Sequence, residues 1–266
     1  ALTRLKVQMK VGLTGTPIEN HLRELKSLFD ITLPSYMPSE HDYREFFIRP
    51  IEKEHDGRRK ELLNRLIRPF VLRRKKEDVL KELPEKIEEI AYCDLMPLQQ
   101  RRRHLLEELH SDKTPIPYLH IFSLLSSLKQ ICDHPAVYLK TPDTYQQYTS
   151  GKWELFVELL REARESQQKV VIFSQYLAML DIIEQYLQEQ DIGFAALRGA
   201  TQNRKEQLQL FNQNPACEVF VGSLQAAGLG IDLTAGSVVI HYDRWWNAAR
   251  ENQATDRVHR IGQTRG

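Results

Sequence analysis

Three polar side chains near the end of the 266-residue sequence have a spacing that could support catalysis. Gln253, Arg257 and Arg260 stand at positions i, i+4 and i+7, which predicts one shared face of a helix. Two guanidinium groups that point the same way repel each other and favour an anionic partner. Phosphoryl transfer uses such a pair to neutralise charge on the transferred phosphate. The alternative is a solvated helix on which Asp256 pairs with Arg260 and Glu251 pairs with nearby arginines.

Before these residues, the sequence alternates between predicted strands and predicted helices. Apolar runs at 170–173, 219–221 and 238–240 are typical of buried strands, and 194–197 predicts a further short strand. Helical apolar spacing separates them, so the expected fold is α/β, with a parallel sheet covered on both faces. Ligands of such sheets bind beyond the carboxyl ends of the strands. The polar residues expected there are Ser174, Gln175, Arg198, Gly199, Ser223 and Asp243.

Another strand-to-helix junction is predicted near the start of the chain. Apolar and polar residues alternate over 7–13, the period of a half-buried strand. Thr16 and Pro17 are favourable residues for the start of a helix. The turn at 14–16 would present hydroxyls at a helix N-terminus, which suits a phosphate or a coupling loop and equally suits a plain connection.

Residues 31–149 have a different composition. The segment is charged and lacks strand alternation over most of its length, and helical apolar spacing occurs at 62–67 and 121–131. Prolines mark the expected helix ends and turns. The sequence therefore predicts a largely helical insertion between the first thirty residues and the predicted sheet.

The composition and the spacing of cysteines exclude several classes of protein. No apolar run approaches the ~20 residues that cross a bilayer, so no membrane partner is expected. The three cysteines show no CxxC spacing, which predicts reduced thiols and no metal site. The net charge of +1 gives no indication about nucleic acid, because basic residues cluster locally at 73–76, 101–103 and 244–265.

Two weaker motifs could also carry chemistry. Gly228 and Gly230 form a GxG, but Leu233 stands where a dinucleotide-binding fingerprint requires its third glycine. Cys132 and His134 could act as a metal ligand or nucleophile, although a cysteine in an amphipathic helix before a His-Pro turn favours a structural role. No phosphate-binding loop of the form G-x-x-x-x-G-K-[ST] occurs in the sequence.

A series of sequence blocks resembles, in order, the motifs of the Swi/Snf ATPases of helicase superfamily two. Residues 13–20 resemble motif III, 171–175 motif IV, 226–234 motif V and 253–263 motif VI. Further blocks of resemblance lie at 68–75, 83–86, 128–135 and 150–152. The block at 253–263 is highly specific, and together the blocks span nearly the whole chain.

The resemblance implies a RecA-like, parallel-sheet second lobe of the P-loop NTPase fold, preceded by a helical insertion. The implied domains are 1–30, the end of the first RecA-like lobe; 31–149, the insertion; and 150–266, the second RecA-like lobe. In that family, ATP hydrolysis between two RecA-like lobes drives translocation along double-stranded DNA and remodels protein–DNA complexes. The first lobe's phosphate-binding loop and its Asp-Glu-Ala-His box would precede residue 1, so we expect a fragment.

The resemblance also implies roles for individual residues. Arg257 and Arg260 would be arginine fingers that Gln253 helps to place. The nucleotide-binding residues would be Gly228, Gly230 and Asp232. The DNA-binding residues would be Ser174, Gln175, Arg198, Gly199 and Ser223. The residues that couple nucleotide state to DNA grip would be Thr14, Gly15 and Thr16.

Cofactor, partners and location follow from the same resemblance. ATP with Mg²⁺ would be held mainly by the N-terminal lobe, with no metal bound by this chain. The partners would be double-stranded DNA, that N-terminal lobe, and a DNA-bound protein as the target. The Arg-Trp-Trp-Asn variant at 244–247 is more similar to bacterial or archaeal members, which implies a cytoplasmic, nucleoid-associated protein; a eukaryotic member would be nuclear. The open alternative is a DNA- or protein-docking module on the same fold that no longer serves a motor.

Overall fold

The computed structural model contains two compact units, Ala1–Lys81 and Glu82–Gly266. The residues that the structure describes are 9–13, 22–72, 85–97, 99–100, 103–104, 118–199, 201–227, 230–245, 248–260 and 263.

The described part of the first unit is helical. Its α-helices are α1 (Leu22–Thr32), α2 (Glu40–Tyr43), α3 (Arg49–Lys53) and α4 (Gly57–Ile67). A π-helical segment, Arg44–Ile48, joins α2 to α3, and a 3₁₀ turn, Arg68–Phe70, follows α4. Asp56 begins α4 because its carboxylate accepts hydrogen bonds from the N–H groups of the first helical turn. The unit has its own apolar core, formed by Leu25, Phe29, Met37, Tyr43, Phe47, Leu63 and Ile67.

The strand predicted at 7–13 is wrong for the residues that the structure describes. Residues 9–13 form no strand, and the side chains of Met9, Val11 and Leu13 are exposed. Alternation yields a half-buried strand only where another strand satisfies the backbone and a second layer covers one face. No pairing of 9–13 with another strand occurs among the described residues. The predicted coupling residues Thr14, Gly15 and Thr16 lie outside them.

The second unit has helices α5 (Tyr118–Asp133), α6 (Pro135–Leu139) and α7 (Gly151–Glu165), with a 3₁₀ segment, Pro142–Gln147, between α6 and α7. Strands and helices then alternate: β1 (Val170–Ser174), α8 (Leu177–Glu189), β2 (Phe194–Leu197), α9 (Arg204–Gln213), β3 (Val219–Ser223), α10 (Leu224–Ala227), β4 (Val238–His241) and α11 (Ala248–Thr255). The four predicted strands and the helices predicted around 62–67 and 121–131 are confirmed.

The sheet is parallel throughout, with strand order β2-β3-β1-β4. Side chains of β1 alternate between two apolar layers, because successive residues of a strand point to opposite faces. Val170 and Ile172 pack in one layer with residues of α7 and α8. Val171 and Phe173 pack in the other layer with residues of α9 and α11. All four carboxyl ends therefore lie along one edge of a sheet that is covered on both faces, as the sequence predicts.

Within the ranges that the structure describes, no helix combines the length and apolar character that a membrane span requires.

Candidate active site and nucleic-acid interface

The arginine pair lies beyond the end of α11, which corrects the prediction of one helical face. The helix ends at Thr255, so Gln253 is helical while Arg257 and Arg260 lie in the turns that follow. Bonds from outside the helix stabilise this ending. The Arg257 carbonyl accepts a hydrogen bond from the Leu233 N–H at 3.0 Å. The Arg257 N–H reaches back only three residues, to the Ala254 carbonyl at 3.1 Å, as in the tightened last turn of many helices.

The turns are bonded to the 230–236 loop that precedes β4. Arg260 Nη1 donates to the Ile231 carbonyl at 3.4 Å. The buried amide of Gln263 donates to the Gly236 carbonyl at 2.6 Å. These bonds bring the arginines against the loop that carries the expected nucleotide-binding residues. The sequence around Gln263 does not predict this role, because burial of an amide leaves no local signal.

The electrostatics of the pair favour an anionic partner. Burial lowers the pKa of Arg257, and the nearby positive charge of Arg260 lowers it further, whereas Asp256 acts in the opposite direction. The two guanidinium groups are therefore close enough to repel each other. The alternative prediction is met in part, because Glu251 pairs with a nearby arginine, Arg244, at 3.1 Å. Glu251 is buried, however, so it does not lie on a solvated helix face.

The described nucleotide-binding candidates are Gly230 and Asp232, while Gly228 lies outside the described residues. Gly230 has a φ of 72°, a conformation that residues with a Cβ rarely adopt. Asp232 is exposed, and its Oδ1 accepts a hydrogen bond from the Thr234 N–H at 3.1 Å, which fixes the turn. An exposed carboxylate held beside a glycine can accept a hydrogen bond from a sugar hydroxyl.

At the carboxyl end of β1, Ser174 is a buried structural group. Its hydroxyl donates to Asp243 and accepts a hydrogen bond from the Tyr176 N–H. The second oxygen of Asp243 accepts from the Gln175 N–H at 3.1 Å. A phosphate contact by the Ser174 side chain would require the loss of the bond to Asp243. Gln175 is only partly buried, and its side-chain amide donates to the Arg244 carbonyl at 3.3 Å.

The ends of β2 and β3 bring the remaining DNA-binding candidates to the same edge. The Arg198 guanidinium is 28% exposed and is bonded to Asp181 and Glu184 of α8, each at 2.8 Å. Gly199 is exposed. Ser223 is buried, and its hydroxyl accepts a hydrogen bond from the N–H of α10 residue Ala226 at 3.2 Å.

Comparison with known proteins identifies the family. A family model described as SNF2-related domain matches residues 1–137, and one described as helicase conserved C-terminal domain matches residues 151–262. The chain is 40% identical to YwqA of Bacillus subtilis, named as an ATP-dependent helicase/translocase, over 100% of the chain and 30% of that protein. It is 33% identical to the transcription regulatory protein SNF2 of Saccharomyces cerevisiae, over 98% of the chain and 17% of that protein.

Two solved structures to which the chain is similar belong to the same family. The Sulfolobus solfataricus SWI2/SNF2 ATPase core in complex with dsDNA matches with a TM-score of 0.59 and 38% identity, over 95% of this chain and 55% of that one. The C-terminal domain of a Sulfolobus solfataricus SWI2/SNF2 ATPase matches with a TM-score of 0.55 and 34% identity, over 63% of this chain and 76% of that one. The chain thus spans under a third of the two curated relatives named above and about half of the ATPase core. With its RecA-like parallel sheet, this chain belongs to the Swi/Snf family of helicase superfamily two.

Proposed function

We propose that this chain forms the C-terminal part of a DNA-dependent ATPase that translocates on double-stranded DNA and remodels protein–DNA complexes. The observation that carries the proposal is the arginine pair, which is held against the 230–236 loop by the bond from Arg260 to the Ile231 carbonyl. Burial and the charge of Arg260 lower the pKa of Arg257. Support also comes from relatives that are named as ATP-dependent helicases, such as the one from Bacillus subtilis, and from the related core solved with dsDNA.

In the proposed reaction, water attacks the γ-phosphate of ATP, the bond to the bridging oxygen of ADP breaks, and Arg257 and Arg260 neutralise the charge that develops. Gln253, one turn earlier, helps to place them. Gly230 and Asp232 lie against the ribose. Mg²⁺ would supply further neutralisation of the phosphates, and its ligands are proposed to come from the N-terminal lobe, because this sequence has no phosphate-binding loop. A DNA-bound protein is the proposed target of remodelling.

Double-stranded DNA is proposed to lie along the carboxyl edge of the sheet. Gln175, Gly199 and Ser223 offer an amide, an exposed backbone and a hydroxyl, which suit phosphate oxygens better than base edges. Ser174 contributes indirectly: its hydroxyl donates to Asp243, and Asp243 in turn accepts a hydrogen bond from the Gln175 N–H. Thr14, Gly15 and Thr16 remain the proposed coupling residues.

The deciding experiment substitutes the arginines in the complete protein. Arg257→Ala and Arg260→Ala should each lower DNA-stimulated ATP turnover by a thousandfold or more, about 4 kcal/mol, and leave the DNA dissociation constant nearly unchanged. Lys should rescue poorly at either position, since an ammonium lacks the planar fork. Arg161→Ala, at an exposed position of α7, is the matched control.

The outcome separates the motor from the docking module. Retention of more than about a tenth of wild-type turnover by both alanine variants, a penalty under ~1.4 kcal/mol, would show that the arginines are not fingers. A wild-type protein that binds DNA but has no DNA-stimulated ATPase would instead support the docking module.

A further inference from the structure

Arg244 lies at the carboxyl edge of the sheet, three residues after the end of β4, and its side chain is 71% exposed. Its backbone is held by two donors. Lys129 Nζ donates to the Arg244 carbonyl at 2.8 Å, and the Gln175 side-chain amide donates to the same oxygen at 3.3 Å. An exposed guanidinium therefore projects from a fixed backbone position beside a candidate DNA-binding residue.

A buried carboxylate supports this guanidinium from the protein side. The Glu251 side chain is only 8% exposed, and its Oε2 lies 3.1 Å from Arg244 Nη2. Its Oε1 accepts a hydrogen bond from the Trp245 N–H at 2.6 Å. A guanidinium has five N–H donors, so this contact leaves others for a ligand on the solvent side. Holding the group in place also reduces the rotamer entropy that a ligand would otherwise have to remove.

Arg198, the arginine expected at this edge, is placed differently. Its guanidinium is bonded to the two carboxylates of Asp181 and Glu184 and is much less exposed than that of Arg244. Asp243, the acidic neighbour of Arg244, is buried, and its oxygens accept from Ser174 and Gln175. The more available positive charge is therefore the one on Arg244.

We propose that Arg244 is a ligand for a backbone phosphate of duplex DNA and that Glu251 is a positioning residue that holds its guanidinium toward the DNA. The inference rests on the proposed function, because it places DNA along the carboxyl edge of the sheet. It adds a contact that the family resemblance did not assign and gives Arg198 a smaller share of the binding.

The test measures binding of the complete protein to a short fluorescent duplex by anisotropy over a series of salt concentrations. Arg244→Ala should weaken binding about tenfold and reduce the slope of log K against log salt by about 0.9, the value for one lost phosphate contact. Arg198→Ala should reduce the slope less than Arg244→Ala does, because the Arg198 guanidinium is already bonded to Asp181 and Glu184. Arg244→Lys should restore the slope but only part of the affinity.

Arg164→Ala is the matched control. Arg164 also pairs with a glutamate, Glu218, at 2.7 Å, but Glu218 immediately precedes β3 and so lies at the opposite edge of the sheet. The substitution removes the same charge and should leave the salt slope unchanged.

Glu251→Gln separates positioning from simple stabilisation. Glutamine keeps an acceptor for the Trp245 N–H but loses the charge that holds Arg244. We expect weaker DNA binding with an unchanged salt slope, because Arg244 retains its charge. An Arg244→Ala variant with the wild-type slope would overturn the inference, even if its melting temperature fell. Absence of salt-dependent duplex binding by the wild-type protein would instead overturn the proposed function.

Discussion

Replacing Asp133 by asparagine tests the protonation of a buried carboxyl group at the end of α5. Asp133 is 1% exposed and pairs with Lys152 at the start of α7, while its second oxygen, Oδ2, has no hydrogen-bond partner. Burial raises the pKa of Asp133 from 3.8 to about 7. Lys152 opposes this shift, and the charge of Asp243 adds to it. The carboxyl group therefore keeps its proton to a much higher pH in the folded protein than in the unfolded chain.

The sign of the pH effect follows from proton binding. Between about pH 4 and pH 7 the folded state holds a proton on Asp133 that the unfolded state has lost, so the free energy of unfolding falls as pH rises through this window. The shift of about three pKa units, at about 1.4 kcal/mol each, corresponds to about 4 kcal/mol. Asparagine does not titrate. The stability of Asp133→Asn relative to wild type should therefore increase by about 4 kcal/mol from pH 4 to pH 8.

Urea unfolding followed by tryptophan fluorescence measures this difference. All three tryptophans, Trp153, Trp245 and Trp246, belong to the unit Glu82–Gly266, so the signal reports on the unit that contains Asp133. Asp143→Asn, at an exposed position, is the control and should follow the wild-type pH dependence. If the Asp133→Asn and wild-type stabilities stay parallel from pH 4 to pH 8, the carboxylate is ionised in the folded protein and the reasoning fails.

Three further predictions concern the chain itself. The purified 266-residue chain should show no ATP turnover with saturating duplex DNA, because it has no phosphate-binding loop; turnover above background would contradict this. The same chain should bind duplex DNA weakly and without sequence preference, with log K falling against log salt at a slope of roughly −2 to −4, and selective binding in a mobility-shift series would refute it. Gly230→Ala should cost about 1 kcal/mol in urea unfolding, because a Cβ is disfavoured at a φ of 72°. Gly230→Asn should cost less, and equal stability of the alanine variant would show that this backbone relaxes.

The sheet was predictable because its strands carry a strong local signal. The run Val170–Phe173 is apolar throughout and belongs to a strand that is buried on both faces. Alternation of such runs with amphipathic helices predicts a parallel sheet and places the polar residues after the strands at its carboxyl edge. The strand order β2-β3-β1-β4 had no such signal, because it depends on which crossovers pack together and not on any one segment.

The arginine turn shows why other features could not be predicted. No glycine or proline occurs between Thr255 and Arg260, so nothing local marks the end of the helix. The helix ends where groups outside it donate hydrogen bonds to the carbonyls that follow Thr255. The Leu233 N–H donates to the Arg257 carbonyl, and the Gln263 side-chain amide donates to the Val258 carbonyl. The same limit applies to Arg198, whose two carboxylate partners come from α8. Local spacing identified which residues carry charge, but tertiary contacts determine how each charge is used.

The helix α11 connects the two proposed activities. Its first half carries Glu251, which holds the exposed Arg244 at the carboxyl edge of the sheet, and the turns after its last residue carry Arg257 and Arg260. Eight helical residues span only about 12 Å. Thr255 also bonds His241 at the end of β4 at 2.8 Å, so the last residue of the helix is tied to the sheet, while Glu251 ties its first half to residues 244–245 that follow β4. A shift of α11 relative to the sheet would therefore have to break bonds at both ends. The proposed DNA contact and the arginine pair are thus expected to move together, as the proposed coupling of DNA binding to ATP hydrolysis requires.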